Sequence, residues 1–180
     1  MIELSHVNAN TKEIMSEVSS LAADMPSPTL DHVLTITLQF DNRFKTPMML
    51  GGAQHGWISV TGGSFEGPLL RGKVLPGGGD PSLTRPDGLV VVGARYILQE
   101  DDGTMISLYN PGIRDGSPQV KAGVDPALVI DTEAFDLRTS PVFDTPAGKH
   151  DWLTRSTFVG VGRKLPDGNG NRIHYFKVNA

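Results

Sequence analysis

"TGGSFEGPLLRGKVLPGGGD", residues 61 to 80, is the stretch on which the fold turns. Its glycines, Gly62, Gly63, Gly67, Gly72 and Gly77 to Gly79, admit two readings. They could form the phosphate loop of an α/β protein, or they could bend a short strand. Leu69, Leu70, Val74 and Leu75 interrupt them with residues that read as strand. Spacing decides between the two. "GGSFEG" is not G-x-G-x-x-G, "GGGD" precedes neither Lys-Ser nor Lys-Thr, and no helical pattern follows to hold a phosphate at its N-terminus. Nor does "GGSFEG" make the G-x-S-x-G elbow of a serine hydrolase. Glycine beside a strand instead supplies the positive φ, bulges and corners with which a sheet curves.

Working outward, the period-two pattern continues. "HVLTITLQF" (32–40) alternates cleanly, and "GWISVTG" (56–62), "LLRGKVL" (69–75), "LVVVGARYILQE" (89–100), "TMISLY" (104–109), "AFDLRTSPVF" (134–143), "RSTFVGVGRKL" (155–165) and "RIHYFKV" (172–178) follow. Turn signals separate them: Pro86-Asp87-Gly88, Asp101-Asp102-Gly103, and a hairpin signal at Pro166 to Gly170. Short, regularly spaced strands without intervening helices predict an all-β protein, an antiparallel β-barrel of about eight strands. Ahead of it, Asn10 and Glu13 have capping-box character, and Ile14, Val18, Leu21 and Met25 recur at helical spacing. This predicts one amphipathic helix over 11–24, ended by Pro26 and Pro28. The domain reading is therefore a helical extension, 1–28, and a barrel domain, 29–180. Two connections, 41–55 and 110–132, are long enough to be lids over a barrel mouth.

Composition narrows the function classes. With 16 basic and 20 acidic residues the net charge is −4, which argues against nucleic acid. No cysteine is present, so disulfides, thiolate nucleophiles and zinc–cysteine sites are excluded. No apolar run approaches the ~20 residues of a membrane helix. The opening residues carry no basic and apolar leader pattern, so a cytoplasmic location without membrane contact is expected. His6, His32, His55, His150 and His174 form no H-x-H or H-E-x-x-H pair. No metal and no cofactor are expected, and a small molecule is the expected partner. The N-terminal helix is a candidate homodimer surface.

Charged residues inside strands point to chemistry. In 89–100, alternation sets Val91, Gly93, Arg95 and Ile97 on one face and Val90, Val92, Ala94, Tyr96 and Leu98 on the other. Both faces are largely apolar, so both are expected to be covered and Arg95 to be buried. Arg138 poses the same problem in "FDLRTS". A buried guanidinium requires a carboxylate partner, drawn from Glu66, Asp80, Asp87, Asp102 or Asp136. Such pairs form either a structural network or a clamp with an acid–base carboxylate beside it. Asp80, Asp87 and Asp102 also fit turn positions, where aspartate bonds its own backbone. The candidate catalytic residues are Asp80, Asp87, Arg95 and Asp102. The candidate substrate-binding residues are His55, in a glycine-rich loop, Trp57, Glu66, Arg138 and Trp152. Arg95 and Trp152 are expected to line one pocket.

The pieces "GGSFEGPLLRGKVLPGGGD", "RPDG" (85–88), "GARYILQEDDGTMI" (93–106), "LRTSPVFDT" (137–145) and "WLTRSTFVGVG" (152–162), taken in order, resemble the domain of unknown function 3237 family. The resemblance spans about residues 30 to 178 and leaves the N-terminal helix outside. It implies a single-domain β-barrel and no settled activity, and it emphasises Asp80, Asp87, Arg95, Asp102, Arg138 and Trp152. The chain departs from the family pattern at Pro81, Gly93 and Thr154.

The functional expectation is a cofactor-independent enzyme of isomerase, cyclase or lyase type. It would act by acid–base chemistry on a small, largely apolar carbonyl-bearing metabolite held in the barrel. The alternatives are a lipocalin-like carrier without catalysis and a structural protein with a filled barrel.

Overall fold

The computed structural model describes residues 26–116, 118, 121–123 and 136–180. The helix expected over 11–24 lies outside the described residues, as does most of the connection after residue 116. Among them are ten strands: β1 (Thr29–Lys45), β2 (Gln54–Glu66), β3 (Arg71–Val74), β4 (Gly79–Thr84), β5 (Leu89–Glu100), β6 (Met105–Asp115), β7 (Asp136–Thr139), β8 (Val142–Asp144), β9 (Phe158–Lys164) and β10 (Gly170–Asn179). A 3-10 turn, Asp151–Arg155, precedes β9.

All the registers are antiparallel. The ladders run β5-β4-β2-β1-β10-β9-β7-β6, and β6 pairs with β5, so the sequence of pairings returns to its start. β3 spans β2 and β5 beyond the end of β4, and β8 extends the β6 edge.

Side-chain alternation then decides what faces inward. Leu34, Ile36 and Leu38 of β1, Ala94, Tyr96 and Leu98 of β5, Ile106 and Leu108 of β6, and Ile173 and Tyr175 of β10 are buried in one core. Each buried Leu or Ile contributes about 1.5–3 kcal/mol relative to an exposed one. Phe143 meets both Phe158 and Tyr175 edge-on, with ring centroids 5.1 and 6.0 Å away.

The glycine stretch bends the sheet, as its spacing suggested. A side chain on Gly63 would strike the Thr37 carbonyl of β1, and one on Gly72 the Gln99 carbonyl of β5. Gly63 also has φ 149°. It lies beside a register shift in the β1 ladder, between Gln39 and Phe40. Close backbone approach and a bulge therefore coincide, and both need glycine.

Three expectations change. The connection expected over 41–55 shortens to 46–53, because β1 runs to Lys45 and β2 begins at Gln54. Residues 79–84, to which no strand was assigned, form β4, which Pro81 concealed. The outward face of β5 is not covered: Val91 and Ile97 are exposed.

Candidate functional site

The inward face of each strand passes from packed core to open cavity. Along β5, Leu98, Tyr96 and Ala94 are core, and Val92 and Val90 line the cavity. Along β1, Leu34, Ile36 and Leu38 give way to Phe40, and along β10, Tyr175 and Ile173 give way to Asn171. The cavity holds about 210 Å³, and a shallower recess of about 480 Å³, bounded by Phe44, His55 and Trp57, adjoins it.

Asp80 lines this cavity. The β4–β5 ladder pairs Gly79 with Arg95 and Ser82 with Val92 but skips Asp80 and Pro81. Proline has no N–H to give. At that gap the Gly93 N–H points to the Asp80 carboxylate instead, at 3.4 Å. Burial pushes the Asp80 carboxyl up to about 6, and the Gly93 contact offsets this only in part.

Behind Asp80 stand two phenols. Burial holds Tyr96 and Tyr175 well above the usual tyrosine range, and each also feels the charge of Asp80. The Asn110 amide acts in the opposite direction on both. Yet Asn110 Oδ1, Thr139 Oγ1 and the Tyr175 hydroxyl are buried without a hydrogen bond of ordinary geometry. Buried polar atoms are usually satisfied, so these three are exceptions within the core. Trp57 closes the near side. Its indole occupies the space that a side chain on Gly79 would take, and its Nε1 donates to Ser59 Oγ at 3.3 Å.

The sequence candidates scatter. Asp80 and Trp57 line the cavity and His55 the outer recess. The other catalytic candidates lie elsewhere. Asp87 is exposed in the β4–β5 turn, where it accepts from Arg85 at 2.5 Å and from the Leu89 N–H. Asp102 is exposed in the β5–β6 turn and accepts from the Thr104 N–H. The Lys149 ammonium, 2.7 Å from Asp102, holds its carboxyl well below the usual range. Arg95, expected to be buried, is exposed on the outward face of β5, with its guanidinium 4.0 Å from the Tyr109 ring centroid. Glu66 and Arg138 are exposed as well, and Arg138 donates to the Leu137 carbonyl. Trp152 packs beside Phe158 in the 3-10 turn, outside the cavity lining. Arg95 and Trp152 therefore share no pocket. The reason is the uncovered outer face of β5, which lets a guanidinium rest on an aromatic ring in water.

One consequence is directly measurable. An exposed cation–π contact contributes about 0.5–1 kcal/mol. Arg95→Met is expected to lower stability in urea by no more than that and to leave ligand binding unchanged. A loss of several kcal/mol would return Arg95 to the interior.

Sequence reasoning missed Tyr96, Asn110 and Tyr175 behind Asp80, and the basic residues Arg43, Lys45, Arg114 and Lys164 that line the cavity. The inward phase of β5 gave a signal for Tyr96. Nothing local marked the others.

Known proteins share this architecture. A UPF0311 protein of Clostridium acetobutylicum is 33% identical over 141 residues, 76% of this chain and 87% of that protein. A solved structure of a protein with unknown function from Clostridium acetobutylicum is similar with TM-score 0.77 at 29% identity, covering 87% of this chain and 100% of that one. A structure described as a beta-barrel like protein from Acinetobacter baumannii, 24% identical, has a TM-score of 0.73 and covers 87% of this chain and 99% of that one. That likeness speaks to the fold alone. The family model matches residues 28–178, nearly the whole of the strand-bearing region. The chain belongs to the family described as Protein of unknown function (DUF3237).

Proposed function

We propose that the ring of ladders closes as a barrel around a proton-transfer site. The protein would then be a cofactor-independent enzyme of isomerase, cyclase or lyase type, acting on a small, largely apolar carbonyl compound. The observation that carries this reading is Asp80, the sole carboxylate among the described residues lining the cavity, with its pKa raised to about 6. A general base works best when its pKa lies near the operating pH, and burial is the usual means of raising a carboxylate to it. Ionised at neutral pH, Asp80 takes a proton from the carbon beside a substrate carbonyl. The electron pair left behind moves onto the carbonyl oxygen. Ser82, Thr84 and Asn171, which line the same cavity, are the available donors for that oxyanion. Returning the proton to another atom completes an isomerisation or a ring closure without any net redox change. A pure carrier of apolar ligands gains nothing from an ionised carboxylate in its cavity, so that alternative ranks second.

The test needs no knowledge of the natural substrate. Cyclic ketones and phenols of one or two rings are incubated with the protein in deuterated buffer, and exchange beside the carbonyl is followed by NMR. The expected result is protein-dependent exchange of at least one compound that Asp80→Asn removes. Binding of these compounds without exchange in the wild-type protein would favour the carrier.

A further inference from the structure

We infer that the outward face of β2, β4, β5 and β6 is the interface of a symmetric dimer, and that its occupant is a second copy of this chain. The inference is independent of the proton-transfer reading.

Strand register assembles this face from residues far apart in sequence. One row runs from Phe44 of β1 to Trp57 of β2 and Pro81 of β4. It continues at Gly93 of β5 and Pro111 of β6, and a side chain on Gly93 would begin 3.9 Å from the Pro81 ring. The next row is His55, Leu83, Val91 and Ile113. A third sets Arg95 beside Tyr109 and Val142. Alternation turns these side chains outward, because Val90, Ala94, Tyr96, Leu108 and Asn110 between them are buried inward. The first row carries no charged side chain, and the one cation of the third rests on the Tyr109 ring.

Single apolar residues on a surface need no explanation, but a run of them across five strands does. Phe44, Trp57, Val91, Ile97, Met105, Ile113 and Val142 are 40% to 65% exposed. Together they show solvent on the order of 600 Å², the upper limit of one patch on a typical monomer and most of the ~800 Å² that each partner gives to a standard interface. Aromatic residues, Met and Arg are the types enriched at interface cores.

Three observations favour a second copy as the partner. The pairings return to their start, so little strand edge is left to recruit another chain and association must use a face. A sheet face packs against its own two-fold mate without needing a matching cleft. Each end of β5 is flanked by an exposed pair of opposite charges, Arg85 with Asp87 and Arg71 with Asp101. A symmetry mate therefore meets neutral rims and no like-charge repulsion. Phe44 and Trp57 also bound the outer recess, so the second copy would stand at the entrance of the cavity.

Sedimentation velocity of the full chain over a range of concentrations tests this. The wild-type protein is expected to be a dimer with a micromolar or tighter dissociation constant. Val91→Glu/Ile113→Glu sets desolvated carboxylates in the middle of the face and is expected to weaken the dimer at least about a hundredfold. Both positions are exposed, so the variant should still melt cooperatively. Should it not, Val91→Ser alone is expected to weaken the dimer about tenfold. Leu69→Glu, equally exposed but outside the face, should leave it unchanged. A wild-type protein that is monomeric at every concentration overturns the proposal. A lower melting temperature of the double variant in that case would assign the face to a segment of the same chain. A dimer that survives the double variant, or is lost equally in Leu69→Glu, places the interface elsewhere and overturns it as well.

Discussion

Asp80→Asn is expected to abolish catalysed proton exchange and, above pH 6, to make the folded protein more stable. Both effects have one cause. The ordinary aspartate value is 3.8, and burial raises Asp80 to about 6 in the folded chain. A raised carboxylate favours folding when it is protonated. Its stabilising contribution is complete below about pH 4 and is lost as the pH rises through about 6. The shift of about two units corresponds to roughly 3 kcal/mol. At pH 8 the wild-type protein carries that burden and the asparagine variant does not. Urea unfolding at pH 8 should show the variant more stable by about 2 kcal/mol, allowing for the burial of the amide. The difference should fall by roughly 3 kcal/mol between pH 8 and pH 4, leaving the variant slightly the less stable protein at pH 4, which separates Asp80 from every other titrating group. A variant that is less stable at pH 8 would mean that Asp80 makes a structural ion pair.

Gly63→Val is expected to produce the largest loss of stability of any single change in the sheet. Gly63 sits opposite Leu38 in the β1–β2 ladder with φ 149°, a region that branched side chains rarely adopt. A Cβ there would also run into the Thr37 carbonyl, which is backbone and cannot rotate away. Strain of this kind costs about 1–3 kcal/mol before any clash is counted. Separating β1 from β2 would also disturb the packing of Ile36 and Leu38, both fully buried. The total should exceed about 3 kcal/mol, beyond the range of most single substitutions. Gly51→Val is the control, since nothing lies within 4 Å of its added Cβ. Thermal melting of the two variants decides, and equal melting temperatures would remove the glycine account of the bend.

How much of this could be read from the chain depends on distance along it. The inward phase of β5 was legible, because Val90, Val92, Ala94, Tyr96 and Leu98 are neighbours at period two. Whether the opposite face was covered was not, because Val91 and Ile97 are apolar yet exposed. That one ambiguity placed Arg95 inside. β4 was hidden by its own chemistry. Pro81 reads as a turn residue, yet here it occupies a ladder position opposite Trp57 and leaves the gap in which the Gly93 N–H meets Asp80. The same segment therefore looked least like a strand and carries the carboxylate of the site. The hairpin at Pro166 to Gly170 was legible from local turn residues, and Gly168 adopts φ 72° there. The basic side chains of the cavity lining were not legible at all. Arg43, Arg114 and Lys164 stand far apart in sequence and meet only because β6 pairs with both β5 and β7, and β9 with both β7 and β10.

The most direct test of the proton-transfer site is the titration of Asp80 itself. The ¹³Cγ resonance of Asp80, assigned by its absence in Asp80→Asn, is followed with pH by NMR. A midpoint near 6 is the predicted result, since the cavity wall and not a charged partner sets the value. A midpoint near the ordinary aspartate value of about 4 would show a solvated carboxylate and contradict the site.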